Sequence, residues 1–459
     1  MTPRFPFRVG ALLGVLALAA CQTPQPLPRD PGPAAGGVPE RVVVPEIDPE
    51  IFANVPSQDE DEVVRVALLL PFEHGSENIE IVANSMLKAA QMVAFESRNE
   101  SYLLIPKDTM GTPEGALAAA EDAIREGAEI ILGPLFSESV GAIAPLTRAA
   151  DVPVIAFSSD MSVAGDGVYL LSFPPEDEVA RVTSYAVSKG YARFGMMAPY
   201  TELGDRVARA FSTEVYELGG EMVHEERYER AADAMAQPAR RLARFAARTF
   251  VPQYVTPRVT AQQQDAYAQG IGDDPYAGPG ADPYDAETEA MTPVASSGEG
   301  FQAVLLPESG RLLRALAPWL PTYDVDIREV KLLGLSSWNN PLLQREPALQ
   351  GGWFAAPDPA LAAGFKERYR KAYGENPPPL ASLAYDAALL TARLSELPER
   401  VRFSGETIAN PNGYLGADGL FRLRSDGTVE RGLAIMEIQP SGITVIDPAP
   451  RSFAEDTGF

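Results

Sequence analysis

A chain of 459 residues with 46% apolar content can bury a large core and is long enough to split into two lobes. Its 63 acidic residues against 38 basic ones leave a net charge of −25, which excludes a nucleic-acid partner and gives an anionic leaflet nothing to attract. His74 and His224 are the only histidines, neither has a second histidine at ligand spacing, and no metalloprotease, P-loop or dinucleotide motif occurs, so neither a metal nor a cofactor is expected.

The chain opens with Arg4 and Arg8, followed by an apolar run from Val9 to Ala20 that is too short to span a bilayer as a permanent helix. Leu18-Ala19-Ala20-Cys21 then resembles the bacterial lipobox. That resemblance implies a signal peptide over residues 1–20, cleavage before Cys21, a diacylglycerol thioether on its sulfur and acylation of the new amine. Cysteine arithmetic agrees, because an exported chain with a single thiol would otherwise carry an unpaired, oxidisable group. Acyl chains supply the double anchoring that one chain alone would not give, so membrane contact is expected through the lipid only. Gln22 in place of Asp points, by analogy, to the outer membrane. An ordinary secretory signal with a chance cysteine is the plainer alternative. Residues 21–61, rich in Pro, Gly and Ala and then acidic, read as a disordered tether. Residues 46–54 allow a short helical turn.

From Val63 the pattern becomes strand and helix in alternation. Val63–Leu70 is a strand broken by Pro71, and a helix follows with Ile81, Met86, Ala89, Ala90 and Val93 on one face. Tyr102–Ile105 is the next strand, and Pro113–Glu126 an Ala-rich helix. Glu129–Leu132 is a buried strand stopped by Gly133-Pro134, Ser139 to Ala150 is helical, and Val154–Phe157 is a second buried strand. Tyr169–Phe173 leaves this first lobe. Ligands in open α/β sheets bind outside the carboxyl ends of the strands, so Ser137 and Ser139 on one loop and Ser158 and Ser159 on the next would face one crevice. Hydroxyls with free backbone N–H groups at a helix N-terminus suit a small anion; the same serines could equally serve as helix caps.

A second series begins at Glu176. It comprises a helix over Asp177–Lys189, strands at Phe194–Ala198 and Glu221–Arg227, and arginine-spaced helix over Ala231–Thr249. The pattern collapses over residues 250–300, whose D-P-Y repeats lack the rigid arc of oxygens that calcium requires; a disordered surface insertion is expected there. Order returns with strands at Phe301–Leu306, Lys331–Leu335 and Gly351–Ala356. Glu308 and Trp338 lie just beyond strand ends, where they would meet a ligand ammonium or apolar group, or serve instead in capping and packing. The helices Phe365–Tyr373 and Ala381–Leu397 follow. Gly413–Gly419 then precedes a strand at Leu420–Leu423, which the turn Ser425-Asp426-Gly427 joins to Gly432–Gln439 as a hairpin, and Ile443–Ile446 completes the pattern.

The segments G-P-L-F-S-E-S-V-G-A-I-A-P-L, P-V-I-A-F-S-S, F-Q-A-V-L-L-P-E-S-G, F-K-E-R-Y-R-K-A-Y-G-E-N-P, L-A-Y-D-A-A-L-L and G-A-D-G-L-F-R-L-R-S-D-G occur in this order. As an ordered set they resemble the type I periplasmic-binding-protein fold of the branched-chain amino acid receptors. That resemblance implies two doubly wound, parallel-sheet α/β lobes joined by three hinge crossings, near Phe173, Ala356 and Leu415. Lobe 1 would then be residues 62–173 and 357–415, and lobe 2 residues 174–356 and 416–447, with 448–459 as a C-terminal tail. Within this, A-P-W-L-P-T-Y-D-V-D, L-L-G-L-S-S-W and E-P-A-L-Q-G-G-W-F-A-A-P-D-P resemble the penicillin-binding-protein activators, outer-membrane lipoproteins. Residues 22–61 are too few for the helical-repeat N-terminal domain that enterobacterial activators carry.

This narrower resemblance implies a noncatalytic regulator that docks on a bifunctional penicillin-binding protein, a peptidoglycan synthase, and stimulates its transpeptidase. The receptor resemblance implies a small amino-acid-like ligand in the interlobe cleft, delivered to an importer, with its carboxylate on Ser137–Ser139 and Ser158–Ser159 and its ammonium on Glu308. Glu138 beside the carboxylate position counts against simple capture of that group. No nucleophile–base pair suggests a hydrolase, so no enzyme is expected.

Overall fold

The structure is a computed structural model that describes residues 63–97, 99–246, 252–255, 292–295 and 300–453. Lobe 1 opens with β1 (Val64–Leu70), whose V-R-V-A-L-L-L sequence is buried on both faces, as a central parallel strand requires. It is followed by α1 (Glu77–Glu96), β2 (Tyr102–Asp108), α2 (Pro113–Arg125), β3 (Ile130–Leu132), α3 (Ser137–Ala149), β4 (Val154–Ala156) and β5 (Val168–Leu170). The strands pair in the order β2-β1-β3-β4-β5, all parallel.

Lobe 2 contains α4 (Pro175–Ser188), β6 (Arg193–Pro199), α5 (Glu202–Glu217), β7 (Glu221–Tyr228) and α6 (Ala236–Ala243). A short antiparallel ribbon pairs β8 (Pro252–Val255) with β9 (Thr292–Ala295). Next come β10 (Ala303–Leu305), α7 (Gly310–Leu316), α8 (Trp319–Thr322), β11 (Lys331–Gly334) and β12 (Trp353–Ala356). The chain returns to lobe 1 with α9 (Pro359–Tyr373), α10 (Ala381–Leu394) and the short helices α11 (Glu399–Arg402) and α12 (Gly405–Ile408). Last are β13 (Tyr414–Gly416), β14 (Gly419–Leu423), β15 (Val429–Arg431), β16 (Ala434–Gln439) and β17 (Gly442–Asp447). The second sheet runs β17-β16-β12-β11-β10-β6-β7, with β16 and β17 antiparallel additions at one side.

The two lobes aim their helix starts at the crevice by the same local device. Thr112 caps α2 by accepting from the Gly115 N–H at 3.0 Å, and Thr201 caps α5 by accepting from the Gly204 N–H at 3.0 Å. Each glycine lies against a strand-end carbonyl: a Cβ at Gly115 would sit 2.3 Å from the Thr109 oxygen, and one at Gly204 2.1 Å from the Pro199 oxygen. Glycine thus lets the first helical turn press directly onto the end of its strand.

Four sequence expectations change. Phe421, Leu423 and Val429 belong to the same core as Val66, Leu68 and Ile130, so β13-β14-β15 forms a small sheet of lobe 1. The third crossing therefore falls between Arg431 and Ala434, not near Leu415, and residues 416–431 are not part of lobe 2. The hairpin partner of β14 is β15; the turn Asp426-Gly427 also reaches back to lobe 1, where the Leu170 N–H donates to the Gly427 carbonyl at 2.8 Å. Among the described residues of the 231–249 stretch the α-helix is Ala236–Ala243, because Pro238 fits only the first turn and the preceding residues form a 3₁₀ turn over Ala232–Ala234. Of residues 250–300, the strands 252–255 and 292–295 are paired rather than patternless, and the rest, Gly300 excepted, lies outside the described residues, as do Cys21 and the tether.

The hinge is built around one buried cation. Arg431 is 2% exposed at its side chain, and its Nε donates to the Ser172 carbonyl at 2.5 Å. The guanidinium lies 4.0 Å from the Phe173 ring centre, and Nη1 is 3.9 Å from Oδ2 of Asp386, whose side chain is fully buried on α10. The Arg431 N–H donates to Asp177 at the start of α4, at 2.9 Å. Residues from the first and third crossings and from both lobes therefore converge on Arg431. Burial pushes the Asp177 and Asp386 carboxyls up to about 7, and pushes the Arg431 guanidinium down.

Candidate functional site

In a sheet of order 2-1-3-4-5 the chain reverses direction between β1 and β3, and the crevice opens outside their carboxyl ends. The loops after these strands carry His74 and Phe136, whose rings lie 5.7 Å apart. Gly111, on the loop after β2, allows this pair: a Cβ there would come within 2.2 Å of the imidazole and 3.2 Å of Phe136. Nδ1 of His74 is buried and has no hydrogen-bond partner among the described residues.

The four serines share this region but not one role. Ser137 is the first residue of α3, and its side chain faces the Asp160 carboxylate closely enough to help hold that acid ionised. Ser139 is 1% exposed, and its hydroxyl has no partner among the described residues. Ser158 is buried and accepts from the Asp160 N–H at 3.1 Å, while Ser159 is exposed to solvent. Asp160 also accepts from the Ser162 hydroxyl at 2.7 Å and the Ser162 N–H at 3.0 Å. The Ser162 hydroxyl chiefly holds its carboxyl below the usual range; the Ser162 N–H, Ser137 and the charge of Arg206 in lobe 2 add to the effect, against a smaller opposing cost of burial. A protein carboxylate thus already stands near the start of α3.

Lobe 2 repeats the reversal between β6 and β10, and a cavity of about 260 Å³ opens there. Its wall includes Pro199, Thr201, Leu203, Arg230, Pro307 and Ser309. Glu308 lies at the same end, 2% exposed. It accepts from the Tyr228 hydroxyl at 3.0 Å, from Arg230 Nη2 at 2.9 Å and Nε at 3.3 Å, and from the Ser309 N–H at 2.9 Å. Burial first, then the charge of Glu308, pushes the Tyr228 phenol upward, and the bond to Glu308 raises the Arg230 guanidinium. Four donors thus consume the carboxylate expected to meet a ligand ammonium. The exposed charge in the cavity is the opposite one, since the Arg230 side chain remains 47% accessible.

Trp338 does not face the crevice. It is completely buried in the lobe 2 core, tilted against Phe354 at 6.4 Å, and its ring fills the space above Gly334 and Gly352. A Cβ on Gly334 would fall 2.1 Å from that ring, so the indole packs directly against the β11 backbone. Glu178 at the start of α4 is also a scaffold residue. It accepts from the Ser336 N–H at 2.8 Å and hydroxyl at 2.6 Å, and burial pushes its carboxyl up to about 7. Among the described residues no group of three His, Cys, Asp or Glu side chains could hold a metal ion, and no helix is long and apolar enough to cross a membrane.

Sequence reading missed Asp160, Arg230 and the His74–Phe136 pair. Asp160 was legible as the residue after a strand-end serine pair. Arg230 was not, because it reaches Glu308 from the loop after β7, distant in sequence.

Comparison with known proteins places these features in a family. Residues 63–442 match the family described as periplasmic binding protein. An uncharacterised protein of Rickettsia prowazekii is 20% identical over 183 residues, 40% of this chain and 48% of that protein. The penicillin-binding protein activator LpoA of Klebsiella pneumoniae is 28% identical over 146 residues, 32% of this chain and 20% of LpoA. LpoA of Edwardsiella piscicida is 28% identical over 127 residues, 28% and 18% respectively. The matched segment thus spans about half of the first relative and a fifth of the activators. Among solved structures, one from Rhodospirillum rubrum described as a branched-chain amino acid ABC transporter superposes with a TM-score of 0.61 at 15% identity, covering 84% of this chain and all of that one. An ABC transporter substrate-binding protein from Sphaerobacter thermophilus gives 0.55 at 15% identity, covering 86% and 100%. With two parallel-sheet α/β lobes and a family match across nearly all of the described residues, this chain belongs to the periplasmic binding protein family and has its type I fold.

Proposed function

We propose that the protein is a noncatalytic periplasmic regulator, anchored by lipid at Cys21 to the outer membrane, that docks on a bifunctional penicillin-binding protein and stimulates its peptidoglycan cross-linking. The observation that carries this reading is the state of the crevice. Glu308 is spent on Tyr228, Arg230 and Ser309, so the acid that would grip a ligand ammonium is satisfied from within the chain, and the Asp160 carboxylate beside Ser137 opposes a ligand carboxylate there. Prising Glu308 from these donors would leave a buried polar group without a partner, at a cost of about 1–3 kcal/mol. The similarity to LpoA proteins, confined to a fifth of their length, supports the same reading.

The second reading is a solute receptor for an importer, holding a small amino-acid-like ligand between the lobes. The cavity beside Arg230 favours it, since the accessible guanidinium and the hydroxyls of Thr201 and Ser309 would receive a carboxylate. The two readings separate in one experiment: immobilised mature protein is offered the bifunctional synthases of its own cell envelope, and its titration heats are measured with a panel of amino acids. The regulator retains a synthase and gives no heats. Micromolar binding of an amino acid without synthase capture would decide for the receptor. The anchor is tested alongside, because Cys21→Ser should move the protein from the membrane fraction to the soluble one.

A further inference from the structure

We infer that residues 448–453 form a fourth connection between the lobes, a strap that holds the interlobe angle beyond what the three hinge crossings do. After β17 the chain leaves the lobe 2 sheet, yet it does not project into solvent. Ala449 packs on the lobe 2 core. Pro450 then lies over the third crossing, where a Cβ on Gly432 would meet its Cγ at 3.0 Å. Phe453 reaches lobe 1 and is only 4% exposed.

The receiving surface in lobe 1 is shaped for that ring. Gly413 has a φ of +70°, and a Cβ there would stand 2.8 Å from Phe453. The Arg422 guanidinium covers the ring at 4.4 Å from its centre. Arg422 is itself held by Glu430 at 2.8 Å and the Pro411 carbonyl at 3.1 Å, so its position is fixed independently of the strap. The three hinge crossings by themselves permit bending of one lobe against the other. A further segment seated on one lobe at Ala449 and on the other at Phe453 resists that bending, because opening must pull an aromatic ring out of its apolar, cation-capped seat.

The test uses the full chain with Cys21→Ser, spin-labelled at Glu121→Cys on α2 and Arg209→Cys on α5, both exposed. Pulsed electron resonance then gives the interlobe distance distribution. With the strap intact one narrow population is expected. Phe453→Ala, and separately a stop after Asp447, should broaden the distribution roughly twofold and extend it to longer distances. Far-UV dichroism on the same samples identifies any variant that fails to fold, and the Phe453→Ala result then stands alone. Distributions that superimpose on the parent chain in a folded variant would overturn the strap.

Discussion

Arg431→Leu is expected to lower the unfolding free energy by about 3–5 kcal/mol, the cost of removing one partner from a buried ion pair. Leucine fills much of the volume but leaves Asp386, fully buried, facing no cation, and leaves the Ser172 carbonyl without its donor. Asp386 retains the Ala417 N–H at 2.5 Å, which compensates only one of its oxygens. Because Arg431 touches both the first and the third crossings, the loss should also uncouple the lobes, so that a single denaturation transition separates into two. Double replacement by Arg431→Leu and Asp386→Leu should recover most of the stability, since the buried charge then disappears with its partner. Equilibrium denaturation followed by fluorescence and by dichroism measures both effects. A loss below 1 kcal/mol with one unchanged transition would remove Arg431 from the centre of the hinge.

Trp338→Ala should cost about 3–5 kcal/mol, as expected for deleting a large aromatic from a packed core. The indole is completely enclosed, and neither Gly334 nor Gly352 carries a side chain that could move into the space it leaves. If Trp338 instead contacted a cleft ligand, its removal would leave the denaturation midpoint within experimental error and change only ligand affinity. The two outcomes are read from one denaturation series, and a midpoint that does not move would contradict the core assignment.

The two-lobed fold could be read from the sequence because parallel strands buried on both faces appear as short apolar runs, and Gly-Pro, Pro-Pro or Gly-Gly breaks punctuate them. Val64–Leu70, Ile130–Leu132 and Ala303–Leu305 are all of this kind. The region after Gly413 was less legible. G-L-F-R-L and A-I-M-E-I-Q both look like partners for one turn, whereas the real partner, Val429-Glu430-Arg431, is three residues long with a single apolar member. Local pattern favours the longer apolar run; the core contacts of lobe 1 decide otherwise. The crevice was legible only as far as positions. Glu308 and the serines could be assigned to strand ends, but whether a polar group at a strand end is free depends on residues far away in sequence. Tyr228 at the end of β7 and Arg230 on the loop just beyond it reach Glu308, and Asp160 approaches Ser137 from a different loop. Trp338 illustrates the same limit in the apolar direction, since its position after β11 fits a cleft contact and its burial is set by the two glycines beneath it.

The central claim is that this body acts by recognising another protein, with the acid on the lobe 2 side of its crevice already satisfied from within. The most direct measurement is the cross-linked fraction of peptidoglycan made by the purified bifunctional synthase of the same cell, titrated with the mature protein. Cross-linking should rise saturably as the two form a complex, and should be indifferent to added amino acids. Unchanged cross-linking at saturating protein, together with tight binding of a small solute at the Arg230 cavity, would contradict it.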